Sequence, residues 1–125
     1  MWALNFDAAL RVKRLAIAGG PRAGKTTLAR YAASGRYLLS TDSLIGLPEA
    51  EQSAAVLTAL DGRAEFVVEG CLVARALRKG LAVDAVLWLD GSKLKLTAGQ
   101  AQQAKAIRTV FNEWQALNKA PVITV

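Results

Sequence analysis

Short unbroken apolar runs alternate along this chain with longer stretches in which apolar residues recur at intervals of three and four. The first pattern predicts buried strands, the second amphipathic helices. Arg14 to Ala18 is the first predicted strand, and it runs directly into glycine at position 19. A helix from Gly24 to about Ala33 is stopped by Ser34-Gly35, with glycine as its C-terminal cap. Arg36 to Ser40 is the second strand. Pro48 opens the next helix, with Glu49 and Glu51 in the first turn, where the helix dipole favours anions. Ala50, Ser53, Leu57 and Leu60 give that helix one small-to-apolar face, and Asp61-Gly62 closes it. Glu65 to Val68 is the third strand, ending in Glu69-Gly70. Leu72 to Lys79 reads as a helix with Leu72, Val73, Ala76 and Leu77 on one side. Val83 to Leu89 is the fourth strand. Thr97 and Gln100 have the spacing of a capping box, and the helix they open is the most periodic, through Ala104, Ile107, Val110, Phe111, Trp114 and Leu117. Asn118 to Pro121 is a stop before a fifth strand, Val122 to Val125. At the start, Trp2, Leu4 and Phe6 alternate, whereas Ala8, Ala9 and Leu10 break the alternation. An edge strand and a short helix both fit this extension, residues 1–13.

Regular alternation of strand and helix predicts an α/β fold, a mainly parallel five-stranded sheet between two helical layers with right-handed crossovers. The 125 residues carry no internal repeat and no linker, so residues 1–125 are expected to form one domain. Composition narrows the chemistry. With one cysteine, Cys71, and no histidine, the usual zinc sites and any Ser-His or Cys-His nucleophile are excluded, leaving carboxylates or water as bases. No uncharged apolar run approaches the roughly 20 residues of a membrane helix. The first residues lack a basic stretch followed by an apolar core, so a cytoplasmic chain with no membrane partner is expected. The formal net charge of +6 suits an anionic ligand. Its basic residues are dispersed with no interleaved aromatics, which favours a phosphate site plus a solvated surface over nucleic acid.

The phosphate site itself is written at Gly19-Gly20-Pro21-Arg22-Ala23-Gly24-Lys25-Thr26, followed by Thr27: glycine, four residues, Gly-Lys-Thr, between a strand and a helix. Small residues let successive main-chain N–H groups converge on a phosphate where Cβ atoms would obstruct them. The following helix adds its first free N–H groups and the positive end of its dipole. Lys25 is expected to reach the β and γ oxygens of a nucleoside triphosphate, with the Thr26 hydroxyl on Mg²⁺. Two carboxylates end neighbouring strands. Glu69, after Phe66-Val67-Val68, is expected near the metal, and Asp42, between the hydroxyls of Thr41 and Ser43, is the better base; either also fits as a cap on the next helix.

On the glycine loop, Asp42 and Glu69-Gly70, the chain resembles the P-loop kinase group of small nucleoside, nucleotide and metabolite phosphotransferases. The resemblance implies strand order 2-3-1-4-5 and a kinase using ATP and Mg²⁺, with Lys25, Asp42 and Glu69 catalytic and Thr26 and Glu69 serving the metal. It further implies a hydroxyl or phosphate acceptor bound by residues 43–64. An anionic acceptor would lean on Arg75, Arg78 or Lys93. Many members carry two aspartates two apart after the second strand, whereas Asp42 stands alone; many carry a lid between the fourth and fifth strands, where this chain has Lys93, Lys95, Lys105, Arg108 and Lys119. The alternative is a nucleotide-binding or ATP-hydrolysing module that acts through a partner, docked by the Trp114 helix or the N-terminal aromatics. A GTPase switch is not expected: Pro121 stands where the guanine-reading motif after Asn118-Lys119 needs aspartate, and no Asp-x-x-Gly follows the third strand.

Overall fold

The computed structural model describes residues 5–91 and 95–125. Five strands, β1 (Arg14–Gly19), β2 (Tyr37–Ser40), β3 (Phe66–Glu69), β4 (Ala85–Leu89) and β5 (Val122–Thr124), form one parallel sheet in the order β2-β3-β1-β4-β5. Helices α1 (Phe6–Ala9), α2 (Lys25–Ala33), α3 (Glu49–Leu60), α4 (Val73–Arg78) and α5 (Ala98–Gln115) fill the connections. The fold is the three-layer αβα arrangement of P-loop kinases, as expected.

The central strands β1, β3 and β4 are apolar along most of their length because helices cover both sheet faces. Along β1 the side chains divide by alternation: Ala16 and Ala18 join Val68, Val86 and Trp88 against α3, α4 and α5, while Leu15 and Ile17 join Val67 and Leu87 against α1 and α2. Helix α5 is fixed to β4 through aromatic rings. Trp88 stacks on Phe111 at 4.2 Å and 14°, and Phe111 meets Trp114 at 5.7 Å. Such pairs contribute about 0.5–1.5 kcal/mol each beyond area burial. Trp114 is 3% exposed, so the apolar face expected to receive a partner is already spent on the sheet. The capping box forms: Gln100 N–H donates to Thr97 Oγ1 at 3.1 Å and Thr97 N–H to Gln100 Oε1 at 3.0 Å.

Where the sequence left two possibilities, residues 6–9 are helical, because Asn5 Oδ1 accepts the Ala8 N–H at 2.8 Å and caps the turn; Trp2 and Leu4 lie outside the described residues. Arg36 does not begin β2. Its guanidinium donates to the carbonyls of Leu10 (2.7 Å), Val12, Ala32 and Ala33 (3.3 Å), tying the end of α2 to the segment before β1. Burial lowers its pKa. Strand β4 begins at Ala85, directly after Asp84, whose carboxylate accepts the Arg14 main-chain N–H at 2.9 Å and its guanidinium at 2.9 and 3.3 Å. On α3 the buried residues are Ser53, Val56 and Leu60, and Ala50 is exposed; Leu117 lies past the end of α5 and is exposed. Among the described residues no helix is long and apolar enough to cross a membrane.

Candidate functional site

The site forms where the carboxyl ends of β1, β2 and β3 meet. Strand β1 ends at Gly19, whose φ is +153° and where an added Cβ would lie 2.8 Å from the Leu89 carbonyl oxygen on β4. Only glycine lets the chain leave the sheet there without pushing β4 aside. The loop turns through Arg22 (φ +60°) and enters α2 at Gly24 (φ +94°). This left-handed entry aims the unbonded N–H groups of the first turn of α2 into the cleft rather than back along the chain. Gly20 packs beneath Ala104 of α5, where a Cβ would come within 3.0 Å of the alanine methyl. The Lys25 side chain is buried, and its ammonium donates to the Gly20 carbonyl across the loop.

Strand β3 lies between β1 and β2, and Glu69 is in register with Ile17 on one side and Ser40 on the other. Its side chain is 1% exposed. Ser40 Oγ donates to Oε1 at 2.7 Å, and Thr26 Oγ1 lies 3.2 Å from Oε1 and 3.3 Å from Oε2. Among the described residues it forms no ion pair. A carboxylate taken out of water with hydroxyl partners alone carries a large uncompensated desolvation cost.

Asp42 is placed by an interlock between the ends of β2 and β3. The chain makes a single 3₁₀ turn, Thr41–Leu44, directly after β2. Thr41 is fully buried, and its Oγ1 accepts the Leu72 N–H at 3.4 Å. Gly70 (φ +134°) passes so close that a Cβ would sit 1.8 Å from Thr41 Oγ1. With Thr41 locked inward, Asp42 is exposed on the cleft wall.

The cleft is about 320 Å³ and is lined by Pro21 to Thr27 together with Asp42, Glu69, Cys71 and Gln100. The structure therefore brings together Pro21, Arg22, Ala23, Gly24, Lys25, Thr26, Thr27, Asp42 and Glu69; Gly19 and Gly20 stand behind it and shape the loop. Ser40, Cys71 and Gln100 were not anticipated there. Ser40 carried a faint signal, a hydroxyl at a strand end two residues before Asp42. The place of Gln100 depends on α5 packing over Gly20, which no local pattern encodes. Burial raises the Cys71 thiol pKa, against a smaller lowering by Lys25. Of the cations expected to serve an anion, Arg75 lines a neighbouring cleft, Arg78 is held by Glu113 at 3.4 Å, Arg108 is paired with Asp90, and Lys93 lies outside the described residues. Larger clefts of about 430 and 420 Å³ surround Arg14 and Gly80 to Ala82, but neither contains the phosphate loop, Asp42 or Glu69.

No protein-family model and no curated protein sequence matches the chain. Among solved structures it is similar to the shikimate kinase from Acinetobacter baumannii in complex with shikimate, at 16% identity and a TM-score of 0.57. That match covers 95% of this chain and 87% of the other. At this identity the likeness is one of fold, and it places the chain among P-loop kinase-like folds.

Proposed function

We propose that this chain is an ATP- and Mg²⁺-dependent phosphotransferase that moves the γ-phosphate to a hydroxyl or phosphate of a small molecule, within a single domain. The observation that carries the reading is the buried Glu69 carboxylate, held among the described residues only by the hydroxyls of Thr26 and Ser40 beside a glycine-rich loop. The structural likeness to a kinase agrees with it.

The donor set fits Mg²⁺. That ion keeps most of its waters and takes one or two protein oxygens plus phosphate oxygens, and among the described residues no cluster of three carboxylate or thiol ligands suggests another cation. Thr26 and Glu69 would hold it, Glu69 directly or through a water. When bound, Mg²⁺ supplies neutralisation of the charge shared by the β and γ oxygens. The protein's own groups do the rest. Main-chain N–H groups from Ala23 to Thr26 cradle the β-phosphate, and Thr27 extends that first turn of α2. Lys25 exchanges the Gly20 carbonyl for phosphate oxygens, a charged partner in place of a neutral one. Ser40 fixes the Glu69 rotamer. Asp42 orients the acceptor hydroxyl and accepts its proton.

The test is product analysis with γ-labelled ATP across nucleosides, nucleotides, polyols and hydroxy acids. Transfer to an acceptor is expected, abolished by Lys25→Ala. Asp42→Asn is expected to lower transfer at least a hundredfold while ATP affinity stays within a few fold. Label recovered only as free phosphate would replace this reading with hydrolysis, and no binding of ATP to the wild type would remove it.

A further inference from the structure

Among the described residues, helix α5 contributes one side chain to the cleft over the glycine-rich loop, Gln100. The capping box fixes which way round its amide stands. Gln100 Oε1 accepts the Thr97 N–H at 3.0 Å, while Thr97 Oγ1 accepts the Gln100 N–H at 3.1 Å. The reversed amide would set two N–H groups against each other, so the carbonyl end is the one turned back on Thr97. The other end, Nε2, carries two N–H donors and has no hydrogen-bond partner among the described residues. Gln100 is half-buried, and its side chain is already ordered by the box.

The packing of α5 says which part of a ligand this amide would meet. Gln100 precedes Ala104 by four residues, one helical turn on the same face, and Ala104 rests on Gly20. The Gly20 carbonyl in turn holds the Lys25 ammonium, the group assigned to the β and γ oxygens. Asp42 and Glu69 line the same cleft. Resting on the phosphotransferase reading above, we infer that Gln100 Nε2 donates to a γ-phosphate oxygen and makes the site select a nucleoside triphosphate over the diphosphate. The contact is charge-assisted from the phosphate side. It also needs little ordering on binding, because the box fixes the rotamer and the Trp88–Phe111 stack holds α5 to β4. A diphosphate offers no oxygen at that place, so the contact is made by ATP and ends when the γ-phosphate has been transferred. Gln100 exchanges no proton in that step; it positions the phosphoryl group.

Gln100→Glu separates this role from that of a helix cap, because glutamate closes a capping box as well as glutamine does. One carboxylate oxygen still accepts the Thr97 N–H, but the other now meets the phosphate as a like charge with no proton to donate. Calorimetry with Mg²⁺ and either ADP or a non-hydrolysable ATP analogue reads the difference. The variant is expected to weaken the triphosphate at least tenfold and ADP by no more than about threefold. Its urea midpoint without nucleotide is expected at or above that of the wild type. Gln100→Ala removes the donor without adding charge, and is expected to weaken the triphosphate selectively by roughly fivefold. Its ratio of triphosphate to diphosphate affinity decides the matter even if the glutamate variant proves unstable. Equal weakening of both nucleotides, or an unchanged triphosphate affinity, would overturn the assignment and leave Gln100 as a cap alone while the phosphotransferase reading stands. A wild type that binds neither nucleotide would remove that reading and this one together.

Discussion

Replacing Glu69 by glutamine separates a functional carboxylate from a structural one, because the two roles give opposite signs. The carboxylate is 1% exposed and has two hydroxyl partners, Ser40 at 2.7 Å and Thr26 at 3.2 and 3.3 Å. Glutamine keeps the shape. Its Oε1 still accepts from Ser40, and its Nε2 donates to Thr26 Oγ1, which accepts as well as donates. What disappears is the desolvation of a charge that has no ion-pair partner among the described residues, and replacing buried charges by neutral groups is often neutral or stabilising by a few kcal/mol. Without nucleotide or metal the Tm is therefore expected to hold or to rise, each kcal/mol being worth about 3–5 °C for a chain of this length. With Mg-ATP the order reverses. A ligand at a hundred times its Kd stabilises the wild type by about 2.7 kcal/mol, and a variant that has lost the metal's protein carboxylate forfeits most of this. Thermal unfolding in four conditions, with and without Mg²⁺ and with and without ATP, reads both effects. A Glu69→Gln protein that is destabilised in every condition would show that the carboxylate is a hydrogen-bond node of the fold, and the metal assignment would fall.

Lys25→Ala is expected to remove the Mg-ATP-dependent rise in Tm, about 2.7 kcal/mol at a hundredfold excess over Kd, as followed by differential scanning fluorimetry. Gly70→Ala is expected to destabilise by about 2–4 kcal/mol, since its φ of +134° and a Cβ 1.8 Å from Thr41 Oγ1 both oppose it. Urea unfolding measures the loss, and adding Thr41→Ala should return part of it; a fully additive double variant would refute the interlock. Asp84 titrates below its ordinary value of 3.8 because Arg14 hydrogen bonds hold its carboxylate. Its contribution is therefore complete above pH 3.8 and lost as pH falls through the lower folded value. The pair is about one-third exposed, so that contribution is about 0.5–1 kcal/mol, and Asp84→Asn should flatten the acid limb of stability against pH by that amount.

The fold was legible because each crossover carries its own local signals. Strands β1 and β3 each hold a short apolar run, Leu15 to Ala18 and Phe66 to Val68, that leads into a glycine-containing turn, and α5 announces itself by a capping box and a three-and-four repeat through Trp114. The glycine-rich loop was legible for the same reason, being contiguous in sequence. What could not be read depends on contacts between distant segments. Arg36 was assigned to β2 from its neighbours, yet four carbonyls on two elements draw its guanidinium away. Leu117 matched the helical period but falls after α5 ends at Gln115, so the period continues where the helix does not. Ser40 and Gln100 reach the cleft through sheet register and the packing of α5 over Gly20, neither of which leaves a mark on nearby residues.

Register also accounts for how a chain with a lone aspartate after β2 assembles two carboxylates around the loop. Two residues before Asp42, at the last position of β2, this chain has Ser40 and not a second acid. Glu69 is paired with that position from β3, and the Ser40 hydroxyl binds it at 2.7 Å. The acid has in effect been supplied by the neighbouring strand. A glutamate reaching from β3 lies between β1 and β2, buried on both sides, whereas a carboxylate at the β2 edge would face water. Helix α5 seals the same corner from above, since Ala104 rests on Gly20 and the Trp88–Phe111 stack holds the helix to β4. The loop, the buried carboxylate and their cover are thus set by the rigid parts of the sheet.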